Sequence, residues 1–128
     1  KYSQKIKFIN SAETKKNNYP FSEATIVNNI IYLSGQIGTL NNGKLVEGGI
    51  KEETRQTMMN IKSILEKNGS SLEKIFKCTC MLADIKDWPE MSEEYRKFFK
   101  NDLPSRSAFA GSGLALNARV EIECWAIK

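Results

Sequence analysis

No histidine occurs among the 128 residues of this chain. That removes the side chain that most often serves as general acid, general base or metal ligand near neutral pH. Cysteine is scarce too. Cys78, Cys80 and Cys124 make an odd count without framework spacing, which suits a reducing compartment and gives no disulfide scaffold. Cys78-x-Cys80 is not the Cys-x-x-Cys of redox or zinc sites, and with no histidine and no fourth thiolate there is no ligand set for structural zinc. On a strand both thiols would face one side, as small buried hydrophobes. No run approaches the roughly 18 to 20 apolar residues of a membrane-spanning helix, so no membrane association is expected. The apolar run Ile30-Ile31-Tyr32-Leu33 is also too short for a secretory signal. The chain starts at Lys1, compatible with a trimmed leader, and the cytoplasm is the expected location.

The net charge of +4 comes from 19 basic and 15 acidic residues interspersed along the chain. Lys5-Ile6-Lys7 and Lys15-Lys16 are the only basic clusters, and no aromatics interleave them. Solvated surface explains them better than a nucleic-acid footprint, which would be a focused stripe. With 41% hydrophobic residues, the length suits one domain, residues 1–128, with its own core.

Hydrophobic spacing divides the chain into eight elements. Lys5 to Ile9 alternates as an edge strand would, and residues 10–22, with Pro20, read as a loop. Ala24 to Val27 and Ile30 to Ser34 form a hairpin around Asn28-Asn29, a pair able to take the positive φ of a tight turn. Five glycines between positions 35 and 49 mark a long connection. Residues 50–68 are the clearest helix: Thr54, Met58, Ile61 and Leu65 recur at helical steps, and Gly69 stands where a C-terminal cap belongs. Met58 and Met59 read as core filler. Ile75 to Leu82 follows as a strand, with Phe76, Cys78, Cys80 and Leu82 on one face. Asp87-Trp88-Pro89-Glu90 reads as a helix start with Asp87 as cap, running to about Phe99 with Met91, Tyr95 and Phe98 inward. Strands near 106–114 and 120–127 close the chain. The order β-β-β-α-β-α-β-β, with right-handed crossovers, puts both helices on one face of a mixed sheet: a two-layer α/β (α+β) sandwich with its other face uncovered.

The charges in the last quarter are the candidates for chemistry. In the final strand Val120, Ile122, Cys124 and Ala126 suit the helix-covered face, while Glu121, Glu123, Trp125 and Ile127 share the uncovered one. A face so mixed suits either self-association, with charged residues lining clefts between copies, or a solvated sheet with surface glutamates. Arg106 follows a proline loop among the small residues Ser105, Ser107 and Ala108, which leave room for a ligand. It suits a two-pronged carboxylate clamp or, equally, a surface ion pair with Glu121 or Glu123. A glutamate here can act as general base toward water, or as acid where burial raises its pKa.

Three motifs, Ser34-Gly35-Gln36-Ile37, Pro104-x-Arg106-Ser107 and Val120-Glu121-Ile122-Glu123, together resemble those of the reactive intermediate deaminase (Rid) family, also called YjgF-like or L-PSP endoribonuclease. The resemblance runs from about Phe8 to Ala126. It implies a chorismate-mutase-like fold assembled as a homotrimer with ligand clefts between subunits, and hydrolysis of 2-imino acids or their enamine tautomers to 2-keto acids and ammonia, with no metal or organic cofactor. Carried onto this chain, it implies that Arg106 binds the substrate carboxylate and Glu121 positions or activates water. Ser34 and Gly35 match pocket positions. Phe21 stands where many members have tyrosine, Ser92 where asparagine is common, and Ala108 where cysteine is frequent. Ala115 replaces a common proline, and the loop before Pro104 is short. An endoribonuclease that inhibits translation is the alternative carried by the older name, disfavoured without histidine or a basic groove. A non-enzymatic binder of small carboxylates in the same clefts is the third reading.

Overall fold

The computed structural model describes residues 5–128. One six-stranded mixed sheet organises the chain, in the order β1-β2-β3-β6-β4-β5. β1 (Lys7–Ile9) is an edge strand, paired with β2 (Ala24–Val27). β2 turns into β3 (Ile30–Leu33) through Asn28 and Asn29, both at positive φ (50° and 70°), as a tight primed turn requires. β6 (Val120–Ile127) lies between β3 and β4 (Ile75–Leu82), antiparallel to both. β5 (Ser105–Ala110) adds to β4 in parallel and forms the other edge.

Helices α2 (Ile50–Lys67) and α3 (Trp88–Arg96) make the crossovers and cover one sheet face, as the two-layer expectation required. The α2 stripe Thr54, Met58, Ile61 and Leu65 is fully buried. It meets Ile31 and Leu33 of β3, Cys78, Cys80 and Leu82 of β4, and Val120, Ile122 and Cys124 of β6 in one core. Each large aliphatic side chain buried there contributes about 1.5–3 kcal/mol. α2 ends with Ser70 N–H donating to Leu65 O at 2.8 Å and Gly69 at φ 79°, the left-handed residue the sequence placed there.

Several expectations need correction. Residues 10–22 hold a short helix, α1 (Ala12–Asn17), capped by Ser11 Oγ, which accepts from Thr14 N–H, and closed by left-handed Asn18. It buries nothing, so no apolar periodicity announces it. Met59 is 43% exposed on the outer side of α2. β5 stops at Ala110, not near 114. α3 leaves α-geometry at Arg96, and Phe98 and Phe99 instead close three-residue turns onto Tyr95 and Arg96. Asp87 makes no side-chain cap bond; its carboxylate instead accepts from Arg119 Nε and Nη2, both at 3.2 Å. Phe76 does not share a face with Cys78, Cys80 and Leu82. Ile75 pairs with Ala126 but Lys77 with Trp125, so Phe76 is an extra residue, a β-bulge that breaks the strict alternation of sides. Its ring meets Trp125 edge-on across the uncovered face, centroids 6.4 Å apart.

Candidate functional site

β6 divides its side chains as the alternation demands. Val120, Ile122, Cys124 and Ala126 are wholly buried under the helices, while Glu121, Glu123, Trp125 and Ile127 lie on the uncovered face. Glu121 is half-buried. Burial, and after it the neighbouring Glu123 carboxylate, pushes its pKa above the usual carboxylate range. Gly35 is what lets Glu121 lie there. A Cβ at position 35 would overlap the Glu121 carboxylate and stand 2.8 Å from its Cδ, so any larger residue here would displace the Glu121 side chain from this place. Ser34, one residue earlier, is held by its own backbone N–H to Glu23 O (3.0 Å) and by its hydroxyl, which donates to Ser22 O at 2.6 Å. Gln36 pairs both ways with Ile122, fixing this segment against β6. Phe21 is exposed and stacks flat on Tyr19, centroids 5.3 Å apart.

Arg106 lies elsewhere. Register pairs it with Cys78, and Ala108 with Cys80, so both side chains project toward the helix layer. The guanidinium runs along one stripe of α3 formed by Trp88, Met91, Ser92 and Tyr95, spaced i, i+3, i+4, i+7. Its Cζ lies 5.2 Å from the Trp88 ring centroid and 5.0 Å from that of Tyr95. Nη2 donates to Ser92 Oγ at 3.0 Å, and Nη1 approaches Met91 Sδ at 3.9 Å. Among the described residues, Arg106 forms no ion pair with Glu121 or Glu123. The surface ion pair within one chain is therefore set aside, and the Ser92 hydroxyl lies against Arg106.

Within one chain the predicted residues fall into two groups. Ser34, Gly35 and Glu121 gather around the uncovered face, and Arg106, Ser92 and Ala108 gather on the side of the helices, across the sheet. A concavity of about 360 Å³ beneath residues 98–105 contains neither Arg106 nor Glu121. Trp88 and Tyr95 were not expected to touch Arg106. Their signal was present as the helical spacing of 88, 91, 92 and 95, which reads as ordinary core contact until β5 is known to bring an arginine to it. The three thiols are free and buried, as expected. Burial raises Cys124 and pushes Cys80 up to about 12. Among the described residues, no three potential metal ligands come together.

The family model described as Endoribonuclease L-PSP matches residues 12–128. The chain belongs to the reactive intermediate deaminase family. It is 40% identical over 110 residues to a human protein named 2-iminobutanoate/2-iminopropanoate deaminase, covering 85% of this chain and 80% of that one. A bovine protein of the same name is 37% identical over 123 residues, covering 95% and 90%. Among solved structures, the Rid family protein YyfA from Yersinia pestis superposes with a TM-score of 0.89 at 33% identity, over 97% of this chain and 100% of that one. The Rid fold is thus the fold of this chain.

Proposed function

We propose that this protein hydrolyses reactive 2-imino acids and their enamine tautomers, such as 2-iminobutanoate and 2-iminopropanoate, to 2-keto acids and ammonia. The observation that carries this reading is the 37–40% identity, over most of the chain, to human, bovine and goat proteins named for that activity.

The side chains suit the chemistry. Arg106 carries a permanent positive charge with planar donors matched to a carboxylate. Glu121 is a half-buried carboxyl whose pKa is raised by burial and then by Glu123, which makes it a better proton acceptor than an ordinary surface glutamate. Water adds to the C2 carbon of the protonated imine, and the C=N π pair moves to nitrogen. Glu121 takes a proton from the added water. It then returns that proton to the amino nitrogen, the C–N bond breaks with its electron pair leaving on ammonia, and Glu121 takes the remaining hydroxyl proton as the C2–O bond becomes the ketone; the ammonia carries that proton away as ammonium. Hydrolysis of this kind needs neither a metal nor an organic cofactor.

Arg106 and Glu121 lie on opposite sides of one sheet, so this mechanism requires Arg106 of one subunit beside Glu121 of another. A homotrimer with clefts between subunits meets that requirement. The exposed Phe76, Trp125 and Ile127 give the uncovered face apolar area to bury.

The test generates 2-iminobutanoate with a dehydratase and follows its loss with and without this protein. Added protein should accelerate hydrolysis, and Arg106→Ala should lower kcat/KM by about a hundredfold, the scale of a charge-assisted contact. No acceleration by the parent protein would overturn the reading.

A further inference from the structure

A carboxylate clamp works only if its guanidinium is already oriented. Arginine has many rotamers, and fixing them at binding costs conformational entropy. Arg106 stands on the edge strand β5, where no further strand restrains it. The α3 stripe supplies the restraint. Trp88 and Tyr95 bring their ring faces to the guanidinium carbon at 5.2 and 5.0 Å, which addresses its π surface. Ser92 accepts from Nη2 at 3.0 Å, which addresses an in-plane edge. A carboxylate also approaches in plane, and a guanidinium has five N–H donors. The aromatic rings therefore fix the plane without competing for the donors a ligand needs.

We propose that Trp88 is a positioning residue for carboxylate binding: with Tyr95 it fixes the plane of Arg106, and it thereby sets affinity for the 2-imino acid and its 2-keto product. This rests on the deaminase reading above. Tyr95 is 4% exposed and belongs to the core, so changing it disturbs the fold. Trp88 opens α3 and is 42% exposed, so its size is not required to fill the interior. Its contact with Arg106 is the specific role the structure gives it.

The experiment compares Trp88→Leu, which removes the aromatic face, with Trp88→Phe, which keeps one. Thermal melting and oligomeric state serve as controls for folding. Trp88→Leu should weaken binding of 2-ketobutanoate and raise KM by about tenfold, the scale of a partly desolvated cation–π contact, while kcat stays within about twofold. Trp88→Phe should recover most of the loss. In an Arg106→Ala background Trp88→Leu should add nothing, because its effect passes through the guanidinium. The Arg106 Nε–H proton resonance, displaced by the rings in the parent protein, should move in Trp88→Leu.

Equal effects of Leu and Phe, or a Leu effect that persists without Arg106, would overturn the proposal. A parent protein that neither hydrolyses imine nor binds 2-ketobutanoate removes the deaminase reading, and the affinity role with it. The Nε–H resonance distinguishes the two failures. If it moves while carboxylate binding is absent, Trp88 positions Arg106 but the ligand class is wrong; if it does not move, the positioning itself is wrong.

Discussion

Glu121 illustrates how much one side chain depends on its neighbours. Its carboxylate occupies the space a Cβ at Gly35 would fill, and Glu123 follows two residues later on the same strand face. Burial and that second charge both favour the protonated form. A carboxyl whose pKa is raised on folding binds its proton more tightly in the native state. Its charge therefore destabilises the native state as pH rises above the unfolded value near 4.3, and has no such effect well below it. Glu121→Gln is accordingly expected to melt higher than the parent at about pH 7 and to lose that advantage by about pH 3.5, while losing activity throughout. Thermal melts of both proteins across that range check it; an advantage independent of pH would count against the raised pKa. Sequence alternation was enough to put Glu121 on the uncovered face. The surroundings of Arg106 were not legible, because the parallel register of β5 on β4 is a long-range choice that no local pattern records.

At the scale of elements, α3 is where local rules and tertiary contacts disagree. Asp87 stands at the position of a helix cap, with Pro89 in the first turn, and a sequence rule assigns it to the helix N–H groups. The structure gives its carboxylate to Arg119 instead, whose backbone N–H is held by the buried Glu53 at 2.8 Å. This ties the start of α3, the residue entering β6, and α2 together. Asp87→Ala should destabilise the fold by about 1–3 kcal/mol, less than a fully buried pair would give because Arg119 is half-exposed. Urea unfolding measures it, and Arg119→Ala should then add little to Asp87→Ala. The strongly periodic elements α2, β2, β3 and β6 were readable from sequence because burial itself imposes their spacing. α1 was not, because a helix that buries no side chain has no stripe.

For the whole molecule, the distribution of candidate residues across the sheet is more informative than any single contact. If the proposed site combines Arg106 of one subunit with Glu121 of another, two inactive variants should rescue each other. Arg106→Ala and Glu121→Gln, unfolded together and refolded at equal amounts, should regain about a quarter of the parent activity, the fraction of interfaces that unite the two intact residues. No recovery, with mixed assemblies confirmed by mass spectrometry, would place the reaction within single chains. Covering of the helix-free face was open to two readings in sequence, since an alternating strand with two glutamates suits solvent as well as a partner.

The extra residue at Phe76 acts on the sheet as a dislocation acts on a crystal lattice. Above it β4 and β6 stay in step, Cys78 opposite Cys124 and Leu82 opposite Val120; below it the two rows are offset by one. A lattice bends where a row is inserted, and here the inserted side chain lies on the uncovered face. Here that side carries Trp125 and Tyr32, whose rings meet at 5.2 Å. One residue out of step therefore extends an aromatic row that strict alternation would have ended, on the face left free by the helices.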